Sequence, residues 1–140
     1  MTYHYHSDIF LSSFDFIIRT EKEKGGVEMK KLEIIIRPEK LDVLKKILTE
    51  DGISGMMISN IMGFGNQKGY THQYRGTTYA VNLVSKLKVE TVIRDEQVED
   101  LMQKIRNELS TGHVGDGKIF VYPVEDALRI RTGDRGESAL

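Results

Sequence analysis

Strong periodicities of apolar and polar positions begin at Met29, strand-like in some stretches and helical in others, and are interrupted by one long polar stretch. Lys31-Leu32-Glu33-Ile34-Ile35-Ile36-Arg37 is rich in β-branched residues and stops at Pro38, which predicts a strand. Pro38 suits the start of a helix, because its missing N–H would lack a partner there anyway. Leu41, Leu44, Ile47 and Leu48 recur at helical spacing, and Gly52 is placed to close that helix. Gly55 to Met62 reads as a second strand. From Gly63 to about Asn82 the chain is glycine-rich and polar, about 20 residues without an apolar period, and a loop of that length is expected to be functional. Leu87, Val89, Thr91 and Ile93 then alternate with Lys86, Lys88 and Glu90, a strand with one polar face. Asp95 is expected to cap a helix whose inner face is Val98, Leu101, Met102, Ile105 and Leu109, closed by Gly112. Lys118 to Tyr122 is a fourth strand, and Leu128-Arg129-Ile130-Arg131 a short fifth extended piece. Two β-α-β units in one small α+β domain predict a ferredoxin-like β-α-β-β-α-β sandwich, with both helices on one face of an antiparallel sheet. The opposite sheet face mixes apolar and charged positions and needs a cover, which suggests oligomerisation.

Residues 1–28 stand apart from this pattern. Glu21-Lys22-Glu23-Lys24-Gly25-Gly26 has the composition of a linker, and the segment is read as a flexible N-terminal extension or as a mis-assigned start. Codons for Gly25 to Met29 can spell a purine-rich ribosome-binding sequence just upstream of an ATG, so Met29 is a plausible true start. The domain is therefore expected to run from 29 to 140. Tyr3-His4-Tyr5-His6 is too short and too isolated to argue for a metal site. The charge balance is near neutral, 20 Lys and Arg against 21 Asp and Glu, which argues against a protein that coats nucleic acid or an anionic membrane. Cysteine is absent, which excludes thiolate chemistry and disulfides. No apolar run approaches the ~20 residues of a bilayer span, and a cytoplasmic location is expected.

Two glycine clusters invite nucleotide-binding readings, and both fail in their usual form. Gly63-Phe64-Gly65-Asn66-Gln67-Lys68-Gly69 is one residue out of register with the dinucleotide fingerprint and opens no helix. Gly112-His113-Val114-Gly115-Asp116-Gly117-Lys118-Ile119 has Ile119 where a P-loop needs Ser or Thr, and it feeds a strand. A more general anion site survives. Gly115-Asp116-Gly117-Lys118 is a tight turn whose N–H groups can approach an anion, with an ammonium at its edge. Arg129 and Arg131, two apart on an extended piece, would point the same way and suit phosphate or carboxylate. The bland alternative is a hairpin turn beside a solvated edge strand, with His113 a surface side chain. No spacing suggests a catalytic set.

Tyr74-Arg75-Gly76-Thr77-Thr78-Tyr79 resembles the long-loop signature of PII nitrogen-signalling proteins of the GlnB and GlnK type. Thr111 to Val121 resembles their second signature, and the Gly63–Gly69 and Arg129–Gly133 stretches fit as well. The resemblance spans Met29 to Leu140. It implies a homotrimeric, non-enzymatic sensor with ATP or ADP in each cleft between subunits. Gly63, Phe64, Gly65, Asn66 and Met57 would then serve the nucleotide, together with Gly115, Asp116, Gly117 and Lys118; Arg129 and Arg131 would come from a neighbouring subunit. It further implies 2-oxoglutarate beside magnesium-ATP, held by Gly65, Gln67, Lys68, Gly69 and Lys86, with Gln67 on the Mg2+ ion. Arg75 matches the loop-tip arginine that enters an ammonium transporter, and Tyr79 a tyrosine that some bacteria modify. Ammonium transporters, the glutamine synthetase system, other nitrogen-metabolism enzymes and transcription regulators are the implied partners. Met57 stands where many relatives have threonine, and Asn66 where arginine is frequent, so the adenine and phosphate contacts are expected to be retuned. The alternatives are a related sensor of another small molecule, such as a cyclic nucleotide or bicarbonate, and a small nucleotide hydrolase.

Overall fold

The computed structural model describes residues 27–64, 71–74, 77–80 and 83–140. Strand β1 (Met29–Ile36) leads through a 3-10 turn at Pro38–Lys40 into helix α1 (Leu41–Glu50). Strand β2 (Met57–Phe64), the short strands β3 (Thr71–Tyr74) and β4 (Thr77–Ala80), and the long strand β5 (Leu83–Arg94) follow. Helix α2 (Asp95–Leu109) and strand β6 (Gly117–Val124) complete the sandwich, with a 3-10 turn at Gly136–Ala139 near the end. The main sheet has the order β2-β5-β1-β6 and every neighbouring pair is antiparallel. That is the ferredoxin-like arrangement expected from two β-α-β units.

Alternation along the two central strands builds the core. Leu32, Ile34 and Ile36 of β1 and Leu87, Val89 and Ile93 of β5 face the helices, where they meet Leu44, Ile47 and Leu48 of α1 and Leu101 and Ile105 of α2. Each fully buried side chain of this size stabilises the fold by about 1.5–3 kcal/mol relative to an exposed one. The β1–β5 register, Leu32 opposite Thr91 and Ile34 opposite Val89, puts all of these on one face. The opposite face carries Lys31, Glu33 and Ile35 from β1, paired with Tyr122, Phe120 and Lys118 of β6. Met57, Phe120 and Tyr122 are exposed there.

Several local expectations need correction. The stretch from 63 to 82 is not structureless: β2 runs on through Phe64, and Thr71–Tyr74 pairs with Thr77–Ala80 in a separate two-stranded ribbon. Its Thr and Tyr residues favour extended backbone but offer no apolar face to mark it. Arg94, not Asp95, occupies the cap of α2, and its N–H donates to Gln97 Oε1 at 3.3 Å. That helix ends at Leu109, and Gly112 takes its positive φ in the turn beyond.

The expected fifth strand is a single bridge, Leu128 to Arg135. The backbone then turns, with Thr132 and Gly133 N–H groups both donating to Arg129 O. Gly133 supplies the left-handed φ of 78° that closes this turn, and the Asp134 carboxylate accepts from the Thr132 hydroxyl. Arg129 and Arg131 therefore do not lie side by side on a strand.

Candidate functional site

The end of the sheet where β1 and β2 finish and β5 and β6 begin carries a cavity of about 350 Å³. Gly63 and Phe64 from the end of β2, Lys86 from β5, Gly115 from the turn before β6, and Gly117 and Lys118 from the start of β6 all line it. Sequence reasoning had these residues in three separate motifs, and the fold brings them to one place.

Gly117 is where the turn meets the sheet. It sits at φ 113°, and a Cβ there would stand 1.8 Å from the carbonyl oxygen of Ile35. Only glycine permits that approach. Gly115 is also left-handed, at φ 100°. The turn is held from inside by Asp116, whose carboxylate accepts from Thr111 N–H at 2.7 Å, the Thr111 hydroxyl at 2.5 Å and Gly112 N–H at 3.0 Å. These bonds, the hydroxyl of Thr111 foremost, with a contribution from the nearby Arg37 guanidinium, hold the Asp116 carboxyl well below its usual range, to about 2. Asp116 is thus committed to shaping the turn. It is an anion that another anion need not confront directly.

Two cations hold the turn from outside. Lys86 Nζ donates to Gly115 O at 2.5 Å, and Arg37 Nε donates to the same oxygen at 3.1 Å. Arg37 Nη2 also donates to Val114 O at 3.0 Å and lies 3.7 Å from Asp116 Oδ1. Lys86 is only 7% exposed, which corrects the expectation of a polar strand face at that position. Burial above all, and the Arg37 charge beside it, hold its ammonium pKa below the ordinary lysine value. Arg37 escaped the sequence reading. Its available signal was its place before Pro38, which fixes it in an extended conformation (φ −68°, ψ 142°) at the end of β1.

Among the nucleotide residues expected from sequence, three lie away from this cavity within one chain. Met57 lines a second cavity of about 740 Å³, on the sheet face near Gly55, Thr91 and the C-terminal Leu140. Arg129 donates to Leu140 O at 2.7 Å and pairs with Asp134 Oδ2 at 3.4 Å, while Arg131 is exposed in the turn. Gly65, Asn66, Gln67, Lys68, Gly69 and Arg75 lie outside the described residues. Tyr79 is on β4, paired with His72. His113 is exposed, as a surface side chain would be. Among the described residues no cluster of His, Asp and Glu could hold a metal ion by itself.

The composite of a glycine-lined turn and two cationic side chains suits an anionic ligand, and comparison with known proteins agrees with the motifs that line it. The family model for nitrogen regulatory protein P-II matches residues 29–134. This chain belongs to the P-II family. Nitrogen regulatory protein P-II of Rhodospirillum rubrum is 50% identical over 112 residues, 80% of this chain and all of that protein. The P-II protein of Microchaete diplosiphon is 52% identical over the same extent. Among solved structures, Bacillus subtilis GlnK superposes with a TM-score of 0.67 at 38% identity, covering 81% of this chain and 99% of that one. The complex of that GlnK with ATP gives 0.66 at 34% identity, covering 81% and 98%. Arabidopsis thaliana PII bound to citrate gives 0.65 at 38% identity, covering 81% and 92%. The P-II assignment makes this a nitrogen-regulatory protein, and no helix among its described residues is long and apolar enough to cross a membrane.

Proposed function

We propose that this P-II protein is a homotrimeric, cytoplasmic sensor, not an enzyme, that binds ATP or ADP and 2-oxoglutarate and regulates nitrogen-assimilation proteins through the segment between β2 and β5. The observation that carries this reading is the convergence of Gly63 and Phe64, Lys86 and the Gly115–Lys118 turn on one cavity. The turn offers backbone N–H groups to phosphate oxygens, and Lys118 offers an ammonium at its edge. The ATP complex of the related GlnK supports a nucleotide as the ligand.

The same reading accounts for the residues that lie elsewhere. The open sheet face, with Met57, Phe120 and Tyr122 exposed, is the surface that association of three chains would cover. Association would bring Arg129 and Arg131 of one chain to the phosphate turn of the next, while Met57 would serve the adenine. For Arg129 this requires its guanidinium to turn from Asp134 and Leu140.

2-Oxoglutarate is assigned to Lys86 and to the residues Gly65, Gln67, Lys68 and Gly69. The side-chain amide oxygen of Gln67 is a hard donor suited to Mg2+. With no described carboxylate cluster to hold the ion, Gln67 would share it with ATP phosphate oxygens. The citrate complex of the Arabidopsis relative supports a carboxylate ligand for this fold. Effector-dependent positions of the long segment would present different surfaces to an ammonium transporter, through Arg75, or to metabolic enzymes and regulators, with reversible recruitment to the membrane through the transporter. Tyr79 is the candidate for modification.

Calorimetry with ATP and ADP on wild type and Lys118→Ala tests the site. Wild type should bind both nucleotides, and the variant should lose at least about tenfold in affinity, the value of one charge-assisted hydrogen bond. No nucleotide binding by wild type would refute the reading. Sustained ATP turnover at ~1 per second or faster would favour a hydrolase instead.

A further inference from the structure

The carbonyl oxygen of Gly115 has two cationic donors at once. Lys86 Nζ stands 2.5 Å away and Arg37 Nε 3.1 Å away, and both bonds are part-buried. A carbonyl oxygen has lone pairs for two donors, so neither cation excludes the other. Arg37 is doubly engaged, because its Nη2 also donates to Val114 O at 3.0 Å. Lys86 has no second hydrogen bond among the described residues and is 7% exposed, so withdrawing it from Gly115 is costly unless another acceptor takes its ammonium. A carboxylate is such an acceptor, and a stronger one than a neutral carbonyl.

We infer that Lys86 is an exchangeable latch on the phosphate turn, and that Arg37 is the positioning residue that keeps the turn in shape once a ligand carboxylate has drawn Lys86 away from Gly115. This rests on the reading of the cavity as a joint nucleotide and 2-oxoglutarate site, and it adds how the two ligands are coupled there. With the dicarboxylate absent, Lys86 and Arg37 together hold Gly115. With it bound, the ammonium of Lys86 faces the ligand and Gly115 O keeps only Arg37. Because Arg37 grips both Val114 O and Gly115 O, the N–H groups of the turn stay directed at the nucleotide. A chain lacking Arg37 would leave Gly115 O without a donor whenever the dicarboxylate bound. Arg37 thereby sets how strongly the dicarboxylate tightens the nucleotide.

The test titrates magnesium-ATP into full-length wild type, Arg37→Gln and Arg37→Lys, each with and without saturating 2-oxoglutarate. The readout is the factor by which 2-oxoglutarate tightens magnesium-ATP, which is reciprocal by linkage. Arg37→Gln should reduce that factor about tenfold, because its charge-assisted bond is backed by Lys86 without the dicarboxylate and stands alone once the dicarboxylate is bound. Arg37→Lys keeps one cationic donor and should return the factor to within about threefold of wild type. A purely structural role would weaken magnesium-ATP equally in both conditions, and an unchanged factor in Arg37→Gln overturns the latch alone. A wild type that 2-oxoglutarate fails to tighten overturns the functional reading and the latch with it. Amide hydrogen exchange at Val114–Gly117 gives an independent arm. In magnesium-ATP, addition of 2-oxoglutarate should speed exchange about tenfold more in Arg37→Gln than in wild type. Equal protection in the two proteins contradicts the exchange of Lys86.

Discussion

Replacing Gly117 by alanine isolates the close approach that seats the phosphate turn on the sheet. The added Cβ would lie 1.8 Å from Ile35 O and 2.8 Å from Ile35 C, both backbone atoms that no side-chain rotation can move aside. Reaching ordinary contact at 3.4 Å requires the β1–β6 ladder to open by about 1.6 Å beside the Ile36–Gly117 pair. Loss of one ladder hydrogen bond there costs about 1 kcal/mol, and holding alanine at φ 113° costs about 1–2 kcal/mol more. The sum, about 2–3 kcal/mol, corresponds to a fall in Tm of roughly 8–15 °C for a domain of this size. Gly52→Ala is the matched control, since Gly52 has φ 74° but nothing within 4 Å of its Cβ direction. It should show backbone strain alone, about 1 kcal/mol. Thermal unfolding of both variants followed by circular dichroism, with ATP titrated into each, separates the two contributions. Gly117→Ala should melt well below Gly52→Ala and bind ATP at least about tenfold more weakly than wild type. Coincident melting of the two variants, with ATP affinity intact, would refute the argument that this contact seats the turn.

Three further outcomes follow from the same geometry. Arg131→Ala, at an exposed turn position, should weaken ATP by about tenfold while leaving the fold intact, and an unchanged Kd in calorimetry would remove Arg131 from the site. A protein beginning at Met29 should assemble and bind ATP like the full chain, because the described core and cavity are built from residues beyond 28; light scattering that shows loss of the assembly would make residues 1–28 structural. Asp116 has its pKa depressed from 3.8 to about 2 in the folded turn, so its contribution is present above about pH 4 and is lost as pH falls from there toward 2. Amide exchange at Thr111 and Gly112 should rise over that window in wild type and be elevated already at pH 5 in Asp116→Ala, whereas protection independent of pH would remove the carboxylate from that role.

The sheet and its helices were legible because their signals are local. Leu32 to Ile36 is a run rich in β-branched residues stopped by Pro38, Leu87 and Val89 alternate with Lys86, Lys88 and Glu90, and Leu44, Ile47 and Leu48 repeat at helical spacing, so a few neighbours identify each element. The ribbon of β3 and β4 carries Thr, His, Gln and Tyr, with no apolar stripe to distinguish strand from loop. Leu128-Arg129-Ile130-Arg131 failed in the opposite sense. It alternates like a strand, but Gly133 and the Thr132–Asp134 hydrogen bond turn the backbone instead. The glycines of the phosphate turn could be singled out by spacing, since their positive φ values leave few other residue types possible. What holds that turn could not. The Arg37 and Lys86 bonds to Gly115 join residues 78 and 29 positions apart, and no local pattern marks an arginine that ends one strand as the partner of a turn that precedes another.

The central claim is that one site takes a nucleotide and a dicarboxylate together, and the most direct measurement is the affinity for 2-oxoglutarate under four conditions. These are protein alone, protein with ATP and no magnesium, protein with magnesium-ADP, and protein with magnesium-ATP. Two carboxylates beside a triphosphate need a bridging cation, so binding should be strong only with magnesium-ATP. In that condition Lys86→Ala should lose at least about 1.5 kcal/mol, roughly tenfold. Tight binding of 2-oxoglutarate to nucleotide-free protein, or an unaltered affinity in Lys86→Ala, would contradict the account.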